Sequence, residues 1–327
     1  MPTLKGLLAA LAVVAVSATG ALAQKTELKL AHIGEPDSLY QKTAEEFAKR
    51  ANAKLGDKAT VSIYGASQLG SDKDILQKLK LGQVQLWLAS TIMSSVAPEF
   101  GVFEMPYLIK DRAHMKRVVA GLNDKVFAPA AKAKGVLLLG TCENGFRHIT
   151  NNSKPILKPG DLAGIKLRVP KGEWRVKMFR AYGANPSPMA YGEVFTALKT
   201  GVMDGQENPF AQIWGGKFHE VQKYLSLSGH VYTPLWIAAS PAGFAALPAD
   251  VQKALTEAAK ETEGVCLDIG AKLDDELLAK MTKDGGMKVN EVDKVAFIEA
   301  SKPIYDEFGK SLKGGAELVG DIQALAK

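Results

Sequence analysis

Twice along this 327-residue chain, short apolar runs alternate with helical stretches, and that rhythm limits the fold more than any other feature. In the first unit, strand-like runs at residues 28–33, 59–64 and 84–89 are separated by helical runs at 38–55 and 72–80. Leu39, Ala44, Phe47, Ala48, Ala51 and Leu55 recur at helical spacing, and Gly56 follows at the expected stop. The second unit has a strand around 165–169, helices at 174–182 and 192–200, and a short strand at 203–206. Further strand-like runs lie at 136–141, 221–227 and 231–238. Such alternation predicts α/β architecture, with parallel sheets covered by helices and right-handed crossovers.

Two such units in about 300 residues exceed one ordinary core and predict two lobes. The chain is expected to cross between them near 142–147 and again near 228–234. Lobe I then takes residues 24–145 and 232–275, and lobe II takes 146–231 and 276–327. Residues 250–283 hold no proline and read as one helix. At 1.5 Å per residue it reaches roughly 50 Å, too long for one lobe, so it should run along both. Gly264 and Gly270 offer places for a bend. Two lobes on hinge strands suit a protein that closes around a small molecule.

Residues 1–23 read as an export signal rather than part of the fold. Lys5 precedes an apolar run at 7–16, and Ala21-Leu22-Ala23 fits a small-x-small cleavage site before Gln24. The run is too short for a membrane span, and a buried N-terminal helix is the alternative. The formal charge is +6, and removing Lys5, the only charge before Gln24, leaves +5. The lysines are dispersed, without interleaved aromatics, so nucleic acid is not an expected partner. A monomer is expected. Cys142 and Cys266 lie far apart in sequence, and two buried, unpaired thiols are favoured over a disulfide.

Enzyme chemistry has little support. The five histidines form no metal-binding spacing, and Gly65-Ala66-Ser67-Gln68-Leu69 lacks the final glycine of a nucleophile elbow. No dinucleotide or phosphate-cradling loop follows the first strand, so no metal, cofactor or catalytic residue is expected.

What stands out instead is a pair of arginines. Arg168 sits between Leu167 and Val169, just before Pro170. A charge in that apolar setting must be partnered by an acid or face a ligand, because an unpaired buried charge is costly. A guanidinium fork matches a carboxylate with two parallel hydrogen bonds. Arg147, at the first crossing, is a second ligand candidate or a hinge ion pair. Asn208 precedes Pro209 and serves a ligand or a turn. Tyr191 covers a ligand or simply packs, and Glu173 and Trp174 contact the ligand or merely start a helix. Ligands in such sheets bind beyond the carboxyl ends of the strands, which adds Glu35, Gln68 and Ser90 as an opposite wall.

These segments resemble the periplasmic solute-binding subunits of tripartite ATP-independent periplasmic (TRAP) transporters, of DctP type. The likeness runs through Tyr64-Gly65-Ala66-Ser67-Gln68-Leu69-Gly70, Phe103-Glu104-Met105-Pro106-Tyr107, Asn144-Gly145-Phe146-Arg147 and Leu167-Arg168-Val169-Pro170. It is strongest in Gly183-Ala184-Asn185-Pro186-Ser187-Pro188-Met189 and Asp204-Gly205-Gln206-Glu207-Asn208-Pro209. The resemblance implies a two-lobe periplasmic-binding-protein fold with a long helix spanning both lobes. It implies capture of an organic acid and delivery to a small and a large membrane subunit. It places the carboxylate on Arg168, with Arg147 and Asn208 lining the site. The chain departs from some members at Ser90 and near Ile33. The polar groups around the expected cleft favour a uronate or other sugar acid, with C4-dicarboxylates and keto or aromatic acids as rivals, and a ligand-sensing subunit or the binding protein of an ATP-driven transporter is the alternative class.

Overall fold

The computed structural model describes residues 25–327, so the expected signal segment lies outside the described residues. The first β-α-β-α-β unit forms as expected. Strand β1 (Thr26–Ala31) pairs in parallel with β2 (Ala59–Tyr64) and β3 (Leu86–Ala89). The central strand β3, Leu86-Trp87-Leu88-Ala89, is apolar and buried throughout, as a strand covered on both faces should be, while β1 and β2 alternate. Leu28, Leu30, Leu86 and Leu88 are buried, and Phe47 of the helix Leu39–Leu55 packs with them without exposure. Burying one such side chain contributes about 1.5–3 kcal/mol.

From β4 (Leu137–Phe146) the chain passes into β5 (His148–Asn151), with Arg147 alone between them. This is a change of sheet. The second unit follows as β6 (Lys166–Val169), β7 (Asn185–Pro188) and β8 (Gly205–Asn208), then β9 (Tyr224–Leu227). The chain returns in β10 (Tyr232–Ala239) and adds β11 (Lys288–Glu291) near the end. One sheet has the order β2-β1-β3-β10-β4 and the other β11-β9-β5-β8-β6-β7. The expected crossings near 142–147 and 228–234 are where the chain changes sheets. Strand β7 carries Pro186 and Pro188, and its edge position accommodates residues that cannot donate to a ladder.

The helix Ala249–Lys283 runs unbroken for 35 residues, about 52 Å. Val251, Leu255, Ala258, Ala259, Cys266, Leu273, Leu277 and Met281 form its buried stripe. It packs on the helix Leu39–Leu55 and β4 at one end, and on the helix Phe210–Gly215 toward the other. Gly270 serves a purpose other than bending. A Cβ there would lie 1.7 Å from Glu143 Oε1, so the missing side chain makes room for that carboxylate. Glu143 accepts two hydrogen bonds from Arg112 Nε, at 2.9 and 3.0 Å, and one from Tyr232 at 2.8 Å.

The cysteine expectation is corrected. Cys142 of β4 and Cys266 of the long helix form a disulfide with Cα atoms 5.7 Å apart. Packing of the helix against β4 closes a separation of 124 residues that gave no hint of proximity. The C-terminal helix Gly315–Ala324, grouped by sequence with lobe II, lies against lobe I elements. His114 Nε2 meets the Ile322 carbonyl at 2.7 Å, and Arg117 Nε donates to the Leu325 carbonyl.

Candidate functional site

The cleft lies between the two sheets, beyond the carboxyl ends of β1, β3, β6 and β8. The lobes meet along its rim. Gly215 is approached by Glu35 and Ser38, and Gly192 by the Ser67 hydroxyl. Ile33, Tyr40, Asp72, Thr91 and Asn144 line one wall, and Arg168, Lys171, Tyr191, Asn208 and Gln212 the other, with Arg147 between.

Arg168 is buried to 3% exposure. Leu167 and Val169 anchor its strand in the core, and Pro170 ends it at the cleft. Nε and Nη2 both donate to the Met189 carbonyl, at 3.0 and 2.6 Å. Among the described residues no carboxylate lies within ion-pairing distance. Burial, then the charge on Arg147, pulls its pKa down to about 10, and Glu207 and Tyr191 only partly counter this. The site thus holds a desolvated cation whose remaining donors face the cavity.

Arg147 is differently placed. It grips Glu207 through Nε–Oε2 at 2.6 Å and Nη2–Oε1 at 3.0 Å. Its Nη2 also meets the Glu207 carbonyl at 2.6 Å and Asn208 Oδ1 at 2.9 Å. Gly145, at φ +109°, turns the backbone just before it. Glu207 also accepts from Arg175 Nη1 at 2.6 Å and contacts His230 Nε2 at 3.0 Å. Burial would raise the Glu207 pKa, but Arg147, Arg175 and the His230 hydrogen bond hold it well below the usual carboxylate range. Arg175 reaches Glu104 as well, at 2.9 Å from Nε. Two arginines and two glutamates therefore balance behind the cleft, and Arg168 is the cleft arginine outside that balance.

Asn208 ends β8, donates to Gln206 Oε1 at 2.6 Å, and presents its amide beside Arg147. The Tyr191 hydroxyl donates to the Gln212 carbonyl at 2.8 Å, which fixes its ring in the wall. What the arrangement can do is bind an anion in a narrow slot and surround it with oriented amides and hydroxyls.

Residues 30–311 match the family described as bacterial extracellular solute-binding protein, family 7 (DctP). The chain belongs to this family. Over 311 residues it is 32% identical to the C4-dicarboxylate-binding periplasmic protein DctP of Rhodobacter capsulatus, covering 93% of this chain and 92% of that one. It is similar to a TRAP periplasmic solute-binding protein from Polaromonas solved with D-erythronate (33% identity, TM-score 0.87, 92% and 99% coverage). It is also similar to the sugar-acid-binding protein DctPAm of Advenella mimigardefordensis in complex with galactonate (33% identity, TM-score 0.86, 93% and 98% coverage). The chain is thus a DctP-type periplasmic solute-binding subunit, and its two sheets and cleft are the family's two-lobe fold.

Against this DctP frame, the residues expected at the site divide. Arg168, Arg147, Asn208 and Tyr191 converge on one cavity. Glu35 is half-buried at the rim where the lobes touch, and burial raises its pKa. Four expectations need correction in whole or part. Gln68 is exposed over a separate shallow depression, because Ala66 and Ser67 take left-handed backbone (φ 48° and 58°) and turn it outward. Ser90 is buried behind the wall, its hydroxyl donating to the Pro234 carbonyl at 2.7 Å, while Thr91 takes the lining position. Glu173 is exposed next to Lys177, and Trp174 is core, edge-on to Phe308 at 5.3 Å. The helix Glu173–Ala181 turns away from the cleft directly after Arg168's loop.

Sequence reasoning missed Asp72, Asn144, Lys171 and Gln212 in the lining, and Arg175 and Glu104 behind it. Asn144 was legible in principle, since it stands in the same crossing segment as Arg147. Asp72 was hidden within a run of helix-starting polar residues, Ser71-Asp72-Lys73-Asp74.

Proposed function

We propose that this periplasmic subunit captures an organic acid by pairing its carboxylate with Arg168, and hands it to the small and large TRAP membrane subunits. The observation that carries this is the burial of Arg168 with only a carbonyl for company. A buried cation without a counter-charge is unfavourable, and a ligand carboxylate supplies what the protein withholds. Asn208 and the free edge of Arg147 complete the carboxylate's surroundings, and Tyr191 covers one face.

A sugar acid is the favoured class. Thr91, Asn144, Asn208 and Asp72 give the cavity more hydrogen-bonding groups than a bare acid can use. Erythronate and galactonate in the two related structures are of that class. The likeness to the R. capsulatus C4-dicarboxylate protein, together with Lys171 in the lining, supports a C4-dicarboxylate as the second reading. In either case the protein binds and releases its ligand unchanged, as a monomer and without a cofactor.

A thermal-shift screen against D-galactonate, D-erythronate, D-glucuronate and succinate tests this, since a ligand bound only to the folded state raises the melting temperature. A rise with at least one of these acids is expected. No shift with any acid, or product formation from one, contradicts the reading.

A further inference from the structure

Asp72 is a charged group in this cleft that no pairing explains. It opens the helix Asp72–Lys80 on the lobe I wall, across the cavity from Arg168 and Lys171. Its Oδ1 is buried and has no hydrogen-bond partner among the described residues. Helix capping does not account for it. Asp74 already closes that terminus, accepting from the Ser71 amide at 2.9 Å and the Ser71 hydroxyl at 2.7 Å. Trp87 is the protein donor that bears on the carboxylate most strongly, yet its indole N–H also lacks a partner in hydrogen-bond geometry. Even a bond to Trp87 occupies one of about four acceptor positions on the carboxylate.

Asp72 as a whole is half-buried, but its Oδ1, buried and short of a donor, carries the same kind of cost as a buried cation short of acceptors. The cavity holds one of each, on opposite walls. A ligand relieves both when it carries a carboxylate at one end and O–H donors at the other. A dicarboxylate relieves Arg168 but sets its second charge against Asp72, where like charges repel.

We propose that Asp72 is the specificity-determining residue of the site, accepting a ligand hydroxyl and excluding a second carboxylate. This rests on the reading that Arg168 holds the ligand's first carboxylate. Burial, opposed by Trp87, Arg168 and Lys171, raises the Asp72 pKa to about 7. Discrimination should therefore be fullest in mildly alkaline buffer, where the group is ionised. The other groups facing it are Tyr40, which stays neutral across that range, Arg168, which stays charged, and Lys171.

Calorimetry at pH 8 with D-galactonate, D-erythronate and succinate, on the wild type and on Asp72→Asn and Asp72→Ala, tests the proposal. The wild type should bind one of the sugar acids at least about tenfold more tightly than succinate, the scale of one charge-assisted hydrogen bond. Asp72→Ala should lose at least about tenfold on that sugar acid and nothing on succinate. In Asp72→Asn the preference should shrink or reverse, because the amide both removes the repulsion and donates. Melting temperatures of the unliganded variants verify that each is folded. A preference unchanged by either substitution, or a wild type that prefers succinate, overturns the selector and leaves Arg168's role standing. A wild type that binds none of the three overturns both.

Discussion

Arg147 and Arg168 face the same cavity, but only Arg147 has a carboxylate, Glu207, held at 2.6 Å. Burial first, and then repulsion from the Arg147 guanidinium, depresses the pKa of Arg168. The pair that looks like a symmetric clamp in the sequence is a division of labour. Arg147 is fixed at the single-residue step between β4 and β5, where the sheets join. Arg168 has no acid partner among the described residues, which on the proposed reading leaves it for the ligand.

The balance behind the cleft predicts a stability effect. Glu207→Ala leaves Arg147 and Arg175 buried without their shared acid, and should cost about 3–5 kcal/mol. Urea unfolding of the ligand-free protein measures this. A loss below about 1 kcal/mol would mean that the network is solvated in the native state.

Acid should destabilise the fold early. Burial lowers the pKa of His32 to about 4, of His148 to about 3 and of His230 to about 4, from an ordinary 6.5. The unfolded chain protonates these imidazoles near pH 6.5 while the folded chain keeps them neutral. Their share of stability is therefore present above pH 6.5 and lost as pH falls toward 3–4. Glu207 adds loss below its ordinary 4.5. Asp72 and Glu143, both raised to about 7, act in the opposite direction over the same range. Glu35, Glu104 and Asp274 are raised by burial as well, and His219 is lowered with the other imidazoles. The imidazoles are expected to prevail, so the melting temperature should drop between pH 6.5 and 4. A flat profile across that window would contradict the buried, neutral state of these rings.

The disulfide predicts a separable effect. Cys142–Cys266 closes a long loop within lobe I and does not line the cleft. Its removal by Cys266→Ser should cost about 2–4 kcal/mol in urea unfolding. Affinity for the bound acid should stay within about threefold, since no cavity-lining side chain is changed. Loss of binding at unchanged stability would be the contrary result.

The parts legible in sequence were those with local causes. Apolar runs and helix stops located most strands, though not β5 or the proline-bearing β7, and a proline-free stretch located the long helix. Arg168 was legible because a charge between Leu167 and Val169 has few structural excuses. The rest was set by tertiary packing. Arg175 sits in a polar helix and is buried because Glu104 and Glu207, from distant segments, meet it. Nearness in sequence misled for Glu173 and Trp174, which follow Arg168 but belong to a helix aimed elsewhere. Gln68 was lost to two left-handed residues that no sequence pattern announced. The cysteines were joined by packing of the helix on β4.

The central claim is that Arg168 is kept unpaired for a ligand carboxylate. Calorimetry of Arg168→Ala against whichever screened acid binds the wild type tests it most directly. Removing one partner of a buried charge pair costs about 2–5 kcal/mol, so affinity should fall by at least about thirtyfold. The melting temperature of the unliganded variant should hold or rise, because an uncompensated buried cation has been removed. Near-normal affinity in Arg168→Ala would contradict the account.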